Sequence, residues 1–342
     1  MKGVPMAQTQ APARVALTTG PEASRLGKSV EQIPATSSLA EMREVFDRDG
    51  VFCLTDAIDP DTLAKVNEFL DPLLDRSKMG ERAWTTDRNR LAEMIGVAEK
   101  PREEPKRILN TRIGRVDVIA MAPDLMESFI AHPRIVEFAE SELLGDYAET
   151  MLIHQALASE LHPGAARQDF HRDAAALWKI PGIQIPKGLI AAAVLRDFTA
   201  ETGATEFILG SHRWPEAIYF DPRKEGGWNR LMNPGRAPEP DEITTLEAPV
   251  GSIVVWHGNL FHRGGANTSE SGIRRVIASG YCLGWLRGEI NQQLVWPPEV
   301  AKSFSPRLQK LIGYRLENHF IGGLELGQDP SRLLRDDAPS PS

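Results

Sequence analysis

The order of the sequence signals predicts an α+β fold that is mainly β, a double-sheet barrel braced by helices. Three observations carry this. Helical periodicity dominates the first part of the chain, whereas from Glu149 onward short apolar stretches alternate with Gly, Pro, Asn and Asp. Strands that follow helices in this way, with turn residues between them, favour an antiparallel sheet or two facing sheets. The third observation is size: 342 residues, 42% of them hydrophobic, supply one large core, and no repeat or linker divides them.

In chain order, residues 1–36 are rich in Ala, Thr, Pro and Ser and read as a mobile tail. A single domain over 37–330 follows, and residues 331–342 read as a flexible C-terminal tail. Leu39, Met42, Val45 and Phe46 repeat at helical spacing up to Gly50, and Val51 to Leu54 reads as a strand. Asp59-Pro60 is an N-cap and first-turn pair ahead of the stripe Leu63, Val66, Phe69, Leu70. Helices fit 124–131 and 133–144, with Gly145 as the stop. Strands fit 151–161, 189–198, 252–256 and 274–283, and residues 297–314 read as helical again. Segment 221–241, rich in Pro and Gly, reads as a long surface loop.

Composition excludes several classes. The formal charge of −8 argues against nucleic acid or an anionic membrane as a partner. The longest apolar runs, such as Leu189 to Leu195, are too short to cross a bilayer. Cys53 and Cys282 lie far apart without CxxC spacing, which leaves neither a zinc ribbon nor a disulfide framework. The N-terminus lacks the order of a signal peptide, so the expected setting is cytoplasmic.

The chemistry centres on Phe170-His171-Arg172-Asp173. In an extended segment residues two apart share a face, so His171 and Asp173 can offer an imidazole and a carboxylate to one ion. A third ligand must come from elsewhere. Composition allows His257 or His262, both after the apolar run 251–256; the Gly264-Gly265 turn directly after His262 favours it by letting the backbone fold back. Two histidines and one carboxylate leave open positions on iron(II), as non-haem oxygenases require. The commonest such enzymes use 2-oxoglutarate, whose far carboxylate suits a buried arginine. Arg274 opens the returning strand twelve residues after His262, and the adjacent Arg275 points to the opposite face.

At this point three motifs resemble a family. Gln168-Asp-Phe-His171-Arg-Asp173, the run from Gly203 through Thr205 and Ser211-His212 to Trp214, and Gly251 through His262-Arg-Gly-Gly-Ala-Asn267 to Arg274 are similar, in that order, to phytanoyl-CoA dioxygenase-like proteins of the natural-product branch. The resemblance covers about residues 38–330. It implies a double-stranded β-helix of the jelly-roll or cupin type, with His171, Asp173 and His262 as ligands of iron(II). It also implies 2-oxoglutarate and dioxygen as cosubstrates, with Arg274, Thr205 and Gln168 holding the 2-oxoglutarate. One extra residue in the turn keeps Arg275 as an alternative, while the seven-residue step to Tyr281 matches the family and supports Arg274. Ser211-His212 matches a structural turn beside the site. A homodimer is implied by family habit.

The reading is therefore an Fe(II)/2-oxoglutarate-dependent dioxygenase that hydroxylates, desaturates or rearranges a small, largely apolar metabolite of secondary metabolism. Leu177, Trp178, Ile180, Ile183 and Ile185, in the loop 174–188, suggest the apolar substrate. Two alternatives compete: a catalytically silent barrel that binds a metal or ligand, and a zinc-dependent hydrolase using the same ligands. The intact triad with a placed arginine weighs against the first. A hydrolase has no need of Thr205 or Arg274, and no HExxH spacing is present.

Overall fold

The computed structural model describes residues 29–78, 113–117, 123–174, 185–214 and 238–335. Among the described residues ten strands form two facing sheets. The major sheet has seven strands in the order β1-β2-β8-β5-β10-β4-β3, and the minor sheet three in the order β7-β6-β9. The major-sheet strands are β1 (Gln32–Pro34), β2 (Val51–Thr55), β3 (Ile113–Asp117), β4 (Met151–Leu161), β5 (Gly188–Arg196), β8 (Ile253–His257) and β10 (Arg274–Leu283). The minor-sheet strands are β6 (Thr205–Phe207), β7 (Thr244–Thr245) and β9 (His262–Gly264). A bridge between His171 and His262 adds the HxD segment to the minor sheet beside β9. The fold is a double-stranded β-helix of the jelly-roll type.

Alternation along β5 explains how one sheet serves two cores. Leu189, Ala191, Ala193 and Leu195 face the helices, whereas Ile190, Ala192 and Val194 face the minor sheet. The outer core receives α1 (Leu39–Asp49), α2 (Pro60–Lys78), α3 (Pro123–Ile130) and α4 (Pro133–Leu143). Helix α1 begins in a capping box between Ser38 and Glu41 and ends at Gly50, whose φ of 80° only glycine adopts cheaply. Phe46, Phe52 and Phe138 meet edge to face there, the first and second each 5.0 Å from Phe138. Each such pair contributes about 0.5–1.5 kcal/mol beyond its buried area.

Three expectations need correction. The domain begins before residue 37, because β1 pairs in parallel with β2. It also reaches past 330: Pro330–Leu334 forms a 3-10 turn, Pro330 is buried and Leu334 packs on the outer core. Residues 1–28 and 336–342 lie outside the described residues. After α5 (Gln292–Val295), the stretch 297–314 expected to be helical holds two short helices, α6 (Pro298–Ala301) and α7 (Pro306–Leu311). Prolines at 297, 298 and 306 forbid a continuous hydrogen-bond ladder. Of the loop 221–241, residues 221–237 lie outside the described residues. Its end forms a 3-10 turn, Pro240–Glu242.

Candidate metal centre

The site is built where the HxD segment crosses β9. His171 N–H donates to the His262 carbonyl at 2.9 Å, and His262 N–H returns the bond at 3.0 Å. This pairing places the two imidazoles side by side, with ring centres 4.4 Å apart. Asp173, two residues beyond His171, completes the group. Its Oδ1 lies 3.7 Å from His171 Nε2 and its Oδ2 3.4 Å from His262 Nε2. The ligand atoms of all three residues fall within 4.8 Å of one another. A facial set around an octahedral ion spaces its ligand atoms about 3 Å apart, so small side-chain movements close on one ion.

The tautomers fit a metal as well. His171 Nδ1 lies 2.9 Å from the Asp169 carbonyl, and His262 Nδ1 lies 3.0 Å from the Leu260 carbonyl. A carbonyl only accepts, so each Nδ1 carries the proton and each Nε2 presents its lone pair. Burial pushes His262 down to about 4, with the Asp173 carboxylate pulling the other way. The ring is neutral at physiological pH, as ligation requires.

His257 does not join this group. Its Nδ1 accepts the Asn259 N–H at 2.9 Å, and its ring lies 5.7 Å from Phe46 and 5.3 Å from His212, on the helix side of β8. Burial pushes it down to about 3. The Ser211-His212 motif is a brace: Ser211 Oγ accepts the Phe261 N–H at 2.9 Å, and the buried Arg172 donates to the Ser211 carbonyl at 2.9 Å. Arg172, between His171 and Asp173, thus ties the HxD segment to the turn leading into β9.

The remaining predicted residues lie along one wall. Phe207 pairs with His262, Thr205 with Gly264, and the Gly203 carbonyl accepts from Arg274 Nη1 at 2.7 Å. Two residues from Val276 in β10, Arg274 falls on the same inner face, and its guanidinium lies 5.6 Å from the Phe198 ring. Arg275 points the other way. It donates from Nε to Glu160 Oε1 at 2.7 Å and from Nη1 to Asn67 Oδ1 at 2.8 Å, and pairs with Asp71 at 2.6 Å. Those partners commit Arg275 to joining β4 and α2. Gln168 is exposed, and its Oε1 accepts the Gly264 N–H at 2.7 Å, which leaves its NH2 as the donor it can offer a ligand. Tyr281 does not reach the barrel interior: its hydroxyl donates to the Ile130 carbonyl at 2.8 Å in the outer core.

The comparisons with known proteins agree with this geometry. A family model described as phytanoyl-CoA dioxygenase (PhyH) matches residues 46–276. The chain belongs to the phytanoyl-CoA dioxygenase family. It is a non-haem iron, 2-oxoglutarate-dependent dioxygenase. Among its curated relatives is dioxygenase swnH2 of Arthroderma benhamiae, 28% identical over 320 residues, covering 90% of this chain and 90% of that one. The multifunctional dioxygenase ausE of Aspergillus calidoustus is 25% identical over 291 residues, covering 84% and 87%. In fold the chain is similar to EvdO2 of Micromonospora carbonacea var. aurantiaca, at 19% identity and a TM-score of 0.50 over 73% of this chain and 92% of that one. A second structure of EvdO2 is described as complexed with 2-oxoglutarate.

Two residues of this PhyH-family site were not found by sequence reasoning. His154 is an extra residue in β4: Gly280 pairs with Gln155 and Tyr281 with Ile153, so the register slips past it. Its ring lies over the inner face of Gly280, where an added Cβ would meet Nε2 at 2.0 Å. Burial pushes His154 down to about 4, opposed by the charge of Asp173. The second is Trp256, on the inner face of β8 with its ring centre 5.3 Å from that of His262. No periodicity announces a bulge, and an aromatic at the end of a core strand reads as packing. Of the apolar loop 174–188, residues 175–184 lie outside the described residues, while Ile185 packs against the outer core.

Proposed function

We propose that His171, Asp173 and His262 hold one iron(II), that Arg274, Thr205 and Gln168 hold 2-oxoglutarate, and that the substrate is a small, largely apolar metabolite of secondary metabolism. The observation that carries the reading is the pair of fixed tautomers: both Nε2 lone pairs converge on one carboxylate. Bound iron(II), with 2-oxoglutarate and dioxygen, supplies the oxidant that removes a hydrogen from the substrate, with succinate and carbon dioxide as co-products.

The chain's own residues do the rest. Asp169 and Leu260 carbonyls orient the imidazoles. Arg274, on the inner face, offers a guanidinium fork to the far carboxylate of the cosubstrate, anchored by the Gly203 carbonyl. His262 is nearly enclosed, whereas the side chains of His171 and Asp173 remain 15% and 22% exposed, so substrate approaches from their side. The inner wall of Ile190, Val194, Phe207 and Trp256 keeps water from the reacting centre. A placed arginine on the metal-bearing wall supports this reading over a zinc hydrolase or a silent barrel.

No helix among the described residues is long and apolar enough to cross a membrane. The formal charge of −8 supports a small-molecule partner over nucleic acid or membrane, and a cytoplasmic, homodimeric enzyme is part of the proposal. The test is iron- and 2-oxoglutarate-dependent succinate release, measured alone and then with a metabolite panel. Stimulation by apolar compounds is expected. Hydrolysis of an ester or amide without 2-oxoglutarate would move the assignment to the hydrolase reading.

A further inference from the structure

We propose that the indole N–H of Trp256 donates a hydrogen bond to the metal-chelating end of 2-oxoglutarate, making Trp256 a cosubstrate-positioning residue beside His262. The inference rests on the function proposed above. Trp256 closes the apolar run of β8 on the face that looks at the minor sheet. Its ring centre lies 5.3 Å from His262 and 5.9 Å from Phe207, and Phe207 lies 6.2 Å from His262. Two rings, Trp256 and Phe207, therefore cover one flank of His262.

Within that cluster Trp256 Nε1 is buried and has no hydrogen-bond partner. An indole nitrogen can only donate, and buried donors in folded proteins nearly always meet an acceptor. A phenylalanine would fill the same wall without leaving a donor unmet. Around the ring, Phe207 and the paired residues Val51 and Ile190 are apolar, so their side chains offer no acceptor. The acceptor is then supplied by a molecule that enters the barrel.

The position of the ring selects which molecule. Trp256 is 7% exposed and sits on the buried flank of the centre, by His262, while the open flank is that of His171 and Asp173. Substrate arrives on the open flank. On the buried flank, the wall runs from Phe207 through Thr205 to Gly203 and Arg274, which is the path a diacid must take to reach both the metal and the guanidinium. Its chelating end carries carboxylate and keto oxygens, both acceptors, at the His262 end of that path.

The experiment uses full-length protein with nitrogen-15 in its tryptophans, loaded with zinc(II) as a redox-inert stand-in and titrated with 2-oxoglutarate. Calorimetry follows binding independently. The chain has seven tryptophans, so the indole N–H region is simple, and Trp256→Phe assigns the relevant signal. One indole signal is expected to move downfield in step with the calorimetric isotherm and not with zinc alone. Trp256→Phe should bind 2-oxoglutarate about tenfold more weakly or worse, the loss expected for one hydrogen bond to a charged group. Saturable binding with no indole signal moving overturns the inference, even if the variant fails to fold. Movement with zinc alone, or unchanged affinity in a folded Trp256→Phe, overturns it as well. If metal-loaded protein binds no 2-oxoglutarate at all, the proposed function falls together with it.

Discussion

Replacing Arg275 by alanine separates a structural arginine from a cosubstrate arginine one residue away. The Arg275 side chain is 2% exposed and bonds Glu160, itself 1% exposed, while its second partner Asp71 is 46% exposed. The Asp71 pair is solvated and contributes little. Glu160 decides the outcome, because the substitution strands a buried carboxylate, at a cost of about 3–5 kcal/mol. His162 Nε2 remains 2.9 Å from the other Glu160 oxygen, which places the expected loss near the lower figure, about 3 kcal/mol. That is about two orders of magnitude in the folding equilibrium. Urea unfolding followed by circular dichroism measures it, and 2-oxoglutarate affinity below the transition should be unchanged. Arg275→Met combined with Glu160→Gln should recover much of the stability. Arg274→Ala should do the reverse, weakening 2-oxoglutarate binding by orders of magnitude while costing about 1 kcal/mol of stability. The reasoning is refuted if Arg275→Ala keeps wild-type stability but loses 2-oxoglutarate, and Arg274→Ala does not.

Two further outcomes follow from buried groups. Burial holds His154, His212 and His262 near 4 and His257 near 3, against an ordinary value of 6.5. The unfolded chain therefore takes up protons that the folded chain refuses. Stability of the metal-free protein should be full above pH 6.5 and fall towards pH 4, by on the order of 1 kcal/mol per histidine per pH unit. Urea titrations from pH 7 to 5 read this directly, and a flat profile contradicts the burial of these rings. Gly280→Ala sets a methyl group 2.0 Å from His154 Nε2 and should cost about 1–3 kcal/mol while displacing the ring from its place over β10. Gly280→Ala with His154→Ala should regain the stability; no recovery would mean that the strain lies elsewhere.

Much of this was legible in the sequence because it depends on local spacing. His171 and Asp173 needed only the two-residue period of an extended chain, and the same parity put Arg274 and Arg275 on opposite faces while the extra turn residue kept both open. The Gly264-Gly265 turn pointed to His262, and the reason is now physical: a Cβ on Gly265 would lie 2.7 Å from the Ala204 carbonyl, so only glycine lets β9 turn back against that loop. What stayed hidden depends on distant partners. Strands β6, β7 and β9 have three, two and three residues, too few to show a period. The bulge that turns His154 inward exists only in register with β10. Arg275 stayed an alternative cosubstrate arginine because Glu160, its buried partner, lies 115 residues away. The proline-broken C-terminal helices were misread as one because the apolar residues continue across the breaks.

The central claim is that three particular side chains make one iron site. Anaerobic iron(II) titration with 2-oxoglutarate present, followed by charge-transfer absorption and by metal content per chain, tests it most directly. The wild type and His257→Ala should each bind one iron per chain, and His171→Ala, Asp173→Ala and His262→Ala should bind none while keeping their circular dichroism. Iron retained by a folded His262→Ala and lost from a folded His257→Ala would contradict the account.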